Sequence, residues 1–116
     1  MSAGQHVQAS RVLDEAGRCQ VVEVLRATYQ REKRWVTDPD VHAPRADLDR
    51  DDIAWFIAHI RGRPAGVLRV HYAPPVAQYA AYGFKLLDPS VNVDEFIRRH
   101  RVAEIGRFAV LPRYRR

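Results

Sequence analysis

Two apolar runs, Ile53-Ala-Trp-Phe-Ile-Ala-His-Ile60 and Ala65-Gly-Val-Leu-Arg-Val-His-Tyr72, flank the short segment Arg61-Gly-Arg-Pro64. Branched and aromatic residues on both sides of a Gly- and Pro-containing turn predict an antiparallel β-hairpin. The first run has no polar alternation, so its strand should be covered on both faces. In the second, Val67, Arg69 and His71 share one side and Leu68, Val70 and Tyr72 the other. A hairpin of this kind needs at least one further layer to bury it.

The sequence before it supplies that layer. From Asp14 to Arg34 the spacing of Val21, Val22, Leu25, Thr28 and Tyr29 predicts a helix with one apolar face. Gly17 marks a break, so this is one helix or a turn and a helix. Glu23 and Arg26, three apart, are placed to pair on its surface. Cys19, beside apolar Val21, reads as packing rather than as a nucleophile. Residues 1–12 are small and polar and are expected to form a flexible lead-in to a single domain over 13–116. Residues 38–52 hold two prolines and six aspartates and read as a long loop.

After the hairpin, Pro74 and Pro75 should end the strand, with Tyr79, Tyr82 and Phe84 as anchors of a weakly patterned stretch. Asn92-Val-Asp-Glu95 has the form of a capping box. It opens a short helix to about Arg101, with Phe96 and Ile97 turned to the core. Val102 to Val110 is the last strand. The order helix, loop, strand, strand, short helix, strand defines an α+β fold with a mainly antiparallel sheet and flanking helices.

Composition narrows the function. A chain of 116 residues makes one domain. No run of about 18 apolar residues suggests a membrane span, and the N-terminus has no secretory pattern. One cysteine excludes an internal disulfide, and together these point to the cytoplasm. The five histidines show no close ligand spacing, so a metal site is not expected. There is no G-x-S-x-G and no Walker loop. The net charge of +5 is concentrated in Arg98, Arg99, Arg101, Arg113, Arg115 and Arg116. Such a cluster suits an anionic ligand: phosphate, coenzyme A, an acidic carrier protein or nucleic acid. It equally fits a solvated face and a frayed basic tail. Nucleic acid is disfavoured, since the aromatics are not interleaved with the basic residues.

The final stretch, Val102-Ala-Glu-Ile-Gly-Arg-Phe-Ala-Val-Leu-Pro-Arg-Tyr-Arg-Arg116, places a carboxylate and an arginine on a strand that enters a basic turn. Glu104, flanked by Val102, Ala103 and Ile105, is a candidate for a partly desolvated carboxylate whose pKa rises toward a useful value. Its other reading is a plain ion pair with Arg107 or Arg69. Glu104 and Arg107 lie three apart and would face opposite ways on a regular strand. A bulge at Gly106 would bring them to one side.

This stretch resembles the GNAT acyltransferase superfamily. Val110-Leu-Pro-Arg-Tyr-Arg-Arg116 is similar to the start of the family's V-x-P-x-[YF]-[RQ]-[RG]-x-G-x-[GA] pattern, whose glycines would fall beyond Arg116. A closer resemblance is to the acyl-homoserine-lactone synthases and the N-acyl amino acid synthases. Leu25-Arg-Ala-Thr-Tyr-Gln-Arg-Glu-Lys-Arg-Trp35 resembles their L-R-x-x-x-[FY]-x-x-E-x-x-W helix, with the Glu displaced by one position. Gly66-Val-Leu-Arg69 resembles G-x-x-R, and Glu104-Ile-Gly-Arg-Phe-Ala-Val110 resembles E-[LI]-[SG]-R-[FL]-A-[VI].

The resemblance implies a GNAT-like fold of which this chain is the N-terminal half, cut after the fourth strand. It implies transfer of an acyl group from acetyl-CoA, a longer acyl-CoA or an acyl-carrier protein to a small-molecule amine. Glu104 and Arg107 would be catalytic. Phe108, Ala109 and Val110 would line the pantetheine arm, and Arg113, Arg115 and Arg116 would meet phosphates or an acidic carrier. Arg26, Trp35, Asp47, Asp49 and Arg69 would shape the acceptor side. A plain acetyl-CoA N-acetyltransferase, an inactive fragment and a non-catalytic basic binding module are the alternatives. An unpaired last-strand edge also admits a homodimer.

Overall fold

The computed structural model describes residues 6–72, 83 and 85–115. The chain runs through β1 (Val7–Arg11), α1 (Glu15–Leu25), a π-helical extension (Arg26–Glu32), α2 (Pro39–His42) and a 3-10 turn (Arg45–Asp49). It continues through β2 (Ile53–Ile60), β3 (Arg63–Tyr72), α3 (Val93–Arg99), β4 (Ala103–Val110) and a second 3-10 turn (Pro112–Tyr114). The four strands form one antiparallel sheet in the order β1-β2-β3-β4. The fold is therefore α+β with helices flanking an antiparallel sheet. Tyr79, Tyr82 and Phe84, expected as anchors, lie outside the described residues, as does Arg116.

The expected hairpin is β2 and β3, with Ile53 opposite His71 and Trp55 opposite Arg69. Its first half is buried throughout, over Ile53, Ala54 and Trp55, whereas Phe56, Ala58 and Ile60 are only partly covered. Val7–Arg11, expected within a flexible lead-in, instead form the edge strand β1. All five residues are exposed, so no apolar period marks the strand. Backbone pairing holds it, from Val7 opposite Ile60 to Arg11 opposite Phe56.

Helix α1 begins where Asp14, in an extended conformation, accepts a hydrogen bond from the Gly17 amide. An N-cap of this type satisfies a donor that the first helical turn leaves without a partner. Gly17 thus sits inside the first turn and does not break the helix. Val21, Val22, Val24 and Leu25 are buried against the sheet with Val12, Ala43, Ile53, Trp55, Ile57, Val67 and Ala109. The expected face of Val21, Val22, Leu25 and Thr28 is the buried one, and Glu23 pairs with Arg26 on the outside. Cys19, expected in the packing, is exposed. It falls on the flank of α1 beside Glu15, whose carboxylate lies 3.6 Å from its sulfur.

The acidic loop is more ordered than its composition suggests. Asp38 caps α2 through the Asp40 amide at 3.0 Å, and Pro39 occupies the first helical turn, where a missing N–H costs nothing. Near the other end, Asn92 caps α3 by accepting from the Glu95 amide at 3.1 Å, as the capping box predicts. Phe96 does not face the core. It is exposed and stacks on His100, with ring centroids 4.1 Å apart, an i,i+4 contact within the helix.

The register between β3 and β4 slips by one residue. Val67 lies opposite Ala109 and Arg69 opposite Gly106, so Arg107 and Phe108 together face Leu68. This is a β-bulge. It is centred on Arg107 and Phe108, one step beyond the expected Gly106. Arg107 takes the left-handed backbone conformation, with φ of 49°, which is costly for a residue with a Cβ. Gly66 is needed nearby: a Cβ there would meet the Ala109 carbonyl at 3.0 Å.

Leu25 is fully buried (0% exposed) and Phe108 is 63% exposed. Leu25→Ala is therefore expected to cost about 2–5 kcal/mol of unfolding free energy, and Phe108→Ala less than about 0.5 kcal/mol. Urea titration of the two variants checks this. A comparable loss for Phe108→Ala would mean that the face it occupies is covered in solution.

Candidate functional site

The face of the sheet under α1 changes character along the strands. Cross-strand rows on this face read Ile57–Val67–Ala109, then Trp55–Arg69–Gly106, then Ile53–His71–Glu104. The first is apolar and sits in the core. The next two carry an arginine, a histidine and a carboxylate. Period-two alternation puts all of these side chains on one face.

Arg69 and Glu104 meet there, with Nη2 3.7 Å from Oε1 and side chains 15% and 22% exposed. Gly106 lies beside this pair: a Cβ there would make ordinary van der Waals contact, 3.5 Å from the Glu104 carboxylate and 3.7 Å from Arg69. The bulge turns Arg107 toward the same region. Burial raises the Tyr29 phenol, and the charges of Arg107 and Arg69 work against that rise. Burial also lowers His42, assisted by Arg107 and then Arg69. Both arginines thus act on groups from the π segment and from α2. The Arg107 Nε and the His71 Nδ1 are buried with no hydrogen-bond partner among the described residues.

Asp47 is buried in the 3-10 turn and accepts a hydrogen bond from the Trp55 indole at 2.8 Å. The indole spends its one donor on this carboxylate, which ties the acidic loop to the middle of β2. Asp47 is thus buried within the aspartate-rich stretch that reads as a loop in the sequence. Asp49 does remain exposed at the end of the turn.

A cleft of about 250 Å³ opens between the π segment and the outer end of β4. Tyr29, Trp35, Phe108, Ala109, Val110 and Arg115 line it, with Glu32 and Lys33 at the rim. The π turns carry the chain from α1 toward β4, and π segments recur at functional sites. Tyr29 donates from its hydroxyl to the Phe108 carbonyl at 3.2 Å, bridging the helix and the bulge. Trp35 is 67% exposed and meets Tyr29 edge-on at 5.4 Å. Arg115 is held by Glu32 through two bonds of 2.6 and 2.7 Å and by the Val110 carbonyl at 2.8 Å. The pairing keeps the Glu32 carboxyl below its usual range.

The expected site residues therefore separate. Arg69, Glu104 and Arg107 come together, with Asp47 one strand away. Trp35, Phe108, Ala109, Val110 and Arg115 line the adjoining cleft. Arg26 pairs with Glu23 on the outer side of the helix. Arg113 covers the Tyr114 ring at 5.1 Å and lines a different cleft with Arg31, Glu23 and Pro64. Tyr29, His42, His71 and Asp52 were not among the expected site residues. Two of them carried a signal: His71 follows Arg69 by two residues, and Tyr29 falls on the apolar helix face and in the Leu25–Trp35 motif. Among the described residues no group of three or more His, Cys, Asp or Glu could hold a metal ion, and no helix is long and apolar enough to cross a membrane. No protein-family model, curated protein or solved structure matches the chain.

His42 gives a pH test. Its folded pKa is lowered from 6.5, so the unfolded chain binds the proton first as pH falls. Stability contributed by neutral His42 is complete above about pH 6.5 and declines as pH falls toward the folded value. The melting temperature of the wild type is expected to drop between pH 7 and 5 more than that of His42→Gln. Identical slopes would mean that His42 is neither buried nor close to the two arginines.

Proposed function

We propose that this chain carries the donor-side and proton-accepting elements of a GNAT-like N-acyltransferase, which moves an acyl group from a thioester to an amine. The observation that carries the reading is the bulge in β4. It sets Glu104 beside Arg69, directs Arg107 to the same region, and presents Phe108, Ala109 and Val110 along a cleft.

N-acyl transfer needs a neutral amine, donors for the developing oxyanion, and a thioester held in line. Glu104 is the group to take the amine proton, and Arg69 holds it in place. Arg107, with a buried Nε, offers positive charge to the oxyanion or to an anionic group of the acceptor. At the bulge the ladder is broken, and an extended amide-bearing arm such as pantetheine would compete with the Tyr29 hydroxyl for the Phe108 carbonyl. Arg115 lies at the mouth of the cleft, where phosphate or an acidic carrier would compete with Glu32 for it. Trp35 and Tyr29 form the aromatic wall on the acceptor side.

A second groove favours a long acyl donor over acetyl-CoA. On the opposite face of the sheet, Phe56, Leu68, Phe108 and Val110 line about 260 Å³. Its lining contributes no polar surface, and Phe108, Ala109 and Val110 border both this groove and the cleft. An aliphatic chain entering at the bulge would find apolar contact worth roughly 25 cal/mol per Å² removed from water.

Thermal melts with acetyl-CoA and with a long-chain acyl-CoA test the reading. At about 100 times Kd a ligand adds about 2.7 kcal/mol, a rise of several degrees for a domain of this size. The long-chain donor is expected to give the larger rise, and Leu68→Glu to remove the difference. Thiol release in the presence of candidate amines is expected to fall about 10²–10⁴-fold in Glu104→Gln, with the donor-induced rise retained. Absence of any thioester effect, together with salt-sensitive binding of polyanions, would favour a basic binding module.

A further inference from the structure

His71 occupies a position that core packing does not explain. It lies on the inner face of β3, directly opposite Glu104 on β4 and Ile53 on β2. It is 6% exposed. An imidazole this deep normally has both nitrogens satisfied. Here Nδ1 is buried without a hydrogen-bond partner among the described residues, and Nε2 stands 3.6 Å from the Asp52 carboxylate. Asp52 is itself fixed: Arg50 donates to it from Nε at 2.8 Å and from Nη2 at 2.6 Å, and the Asp52 carbonyl accepts from the Tyr72 amide at 2.8 Å. β3 runs between β2 and β4, so His71 has Asp52 on one flank and Glu104 on the other. Arg69 is the charged neighbour on its own strand.

Glu104, His71 and Asp52 therefore occupy successive positions across the sheet, from a largely covered carboxylate to a half-exposed one. We propose that His71 relays protons between Glu104 and solvent at Asp52. The inference rests on the acyl-transfer reading for its substrate and deepens it by naming the route the proton takes. As the amine attacks the thioester, the C–N bond forms and the C–S bond breaks. The amine proton passes to a Glu104 oxygen. Glu104 gives it to His71 Nδ1, and His71 releases its Nε2 proton to water beside Asp52. The leaving thiolate takes a proton from solvent, so thioester and amine become amide and thiol. Glu104 returns to its starting state. His71, left with its proton on Nδ1, regains the Nε2–H form by tautomer exchange with water, taking a proton at Nε2 and releasing the one on Nδ1. Asp52 is a positioning residue. The Arg50 guanidinium holds its carboxyl down at about 2, so it stays ionised and stabilises the imidazolium without being protonated.

Two measurements test this. The first needs no substrate: nitrogen-15 spectra of the histidine rings resolve which nitrogen of neutral His71 carries the proton. The proton is expected on Nε2, facing Asp52. Asp52→Asn is expected to shift the ratio toward Nδ1–H, Glu104→Gln to perturb the Nδ1 resonance, and the remote Glu95→Gln to change neither. A dominant Nδ1–H form in the wild type, or a His71 ring indifferent to Glu104→Gln, overturns the relay. The second follows turnover with the donor chosen by the melts. His71→Gly is expected to lose about tenfold to hundredfold in kcat, with KM little changed, and to recover activity when free imidazole is added. Loss without rescue in a variant that melts like the wild type means that His71 only fills space. Should His71→Gly not fold, Asp52→Asn serves instead, with a smaller loss expected and full turnover counting against the relay. Wild-type chain that releases no thiol from any thioester would overturn the acyl-transfer reading, while the spectra still decide whether the three groups are coupled.

Discussion

One extra residue in β4 governs the rest of the structure. With a continuous register, Glu104 and Arg107 would point to opposite faces and β4 would be an ordinary edge of the sheet. The slip at Arg107 and Phe108 breaks the ladder opposite Leu68. It places Arg107 in a conformation that costs free energy, and beyond it Phe108, Ala109 and Val110 line the cleft with the π segment. That strain is maintained by contacts on both sides: Ala109 packs in the core opposite Val67, and Tyr29 bonds the Phe108 carbonyl. A strained backbone persists only where its surroundings over-determine it, and here a buried strand segment and a helix do so together.

The polarity of the inner face follows from the same arrangement. α1 is short, and its apolar stripe of Val21, Val22, Val24 and Leu25 covers only one end of the sheet. Beyond it the covering is supplied by the π segment, α2 and the 3-10 turn. These elements bring Tyr29, His42 and Asp47 alongside the aliphatic Leu48. Buried polar groups are tolerated when paired, and Asp47 with Trp55 and Glu104 with Arg69 meet that condition. Arg107 and His71 each retain a buried nitrogen without a hydrogen-bond partner among the described residues. In a buried polar network an unmet group is costly, so these atoms mark the place where chemistry is best sought.

Much of the frame was legible in the sequence. The hairpin, the α1 face, the Asn92 cap and the final strand all rest on local rules of period and capping, which act over a few residues. The side shared by Val67, Arg69 and His71 was legible for the same reason. Other features were not. β1 has no apolar alternation because an exposed edge strand buries nothing. Cys19 lies two residues from buried Val21 and Phe96 beside half-buried Ile97, yet a helix turns successive positions by about 100° per residue, and theirs face outward. Asp47 reads as one of six aspartates in a polar loop; only the fold brings the Trp55 indole to it.

The sequence by itself determined the α+β class, the succession of α1, the hairpin, α3 and the last strand though not β1 or α2, and the residue types available for chemistry: a carboxylate, arginines and aromatics at the last strand and the first helix. Tertiary structure decided which of them meet. Glu104 chooses Arg69 rather than Arg107 because cross-strand register brings positions 35 residues apart within ion-pair distance. The extra residue that redirects Arg107 was suggested by a glycine but realised one step later. Arg115 is drawn to Glu32, 83 residues away, by the path of β4 along the π segment. Local pattern specifies which face a side chain takes, whereas partners across the sheet depend on register and strand order, and those follow only from packing the whole chain.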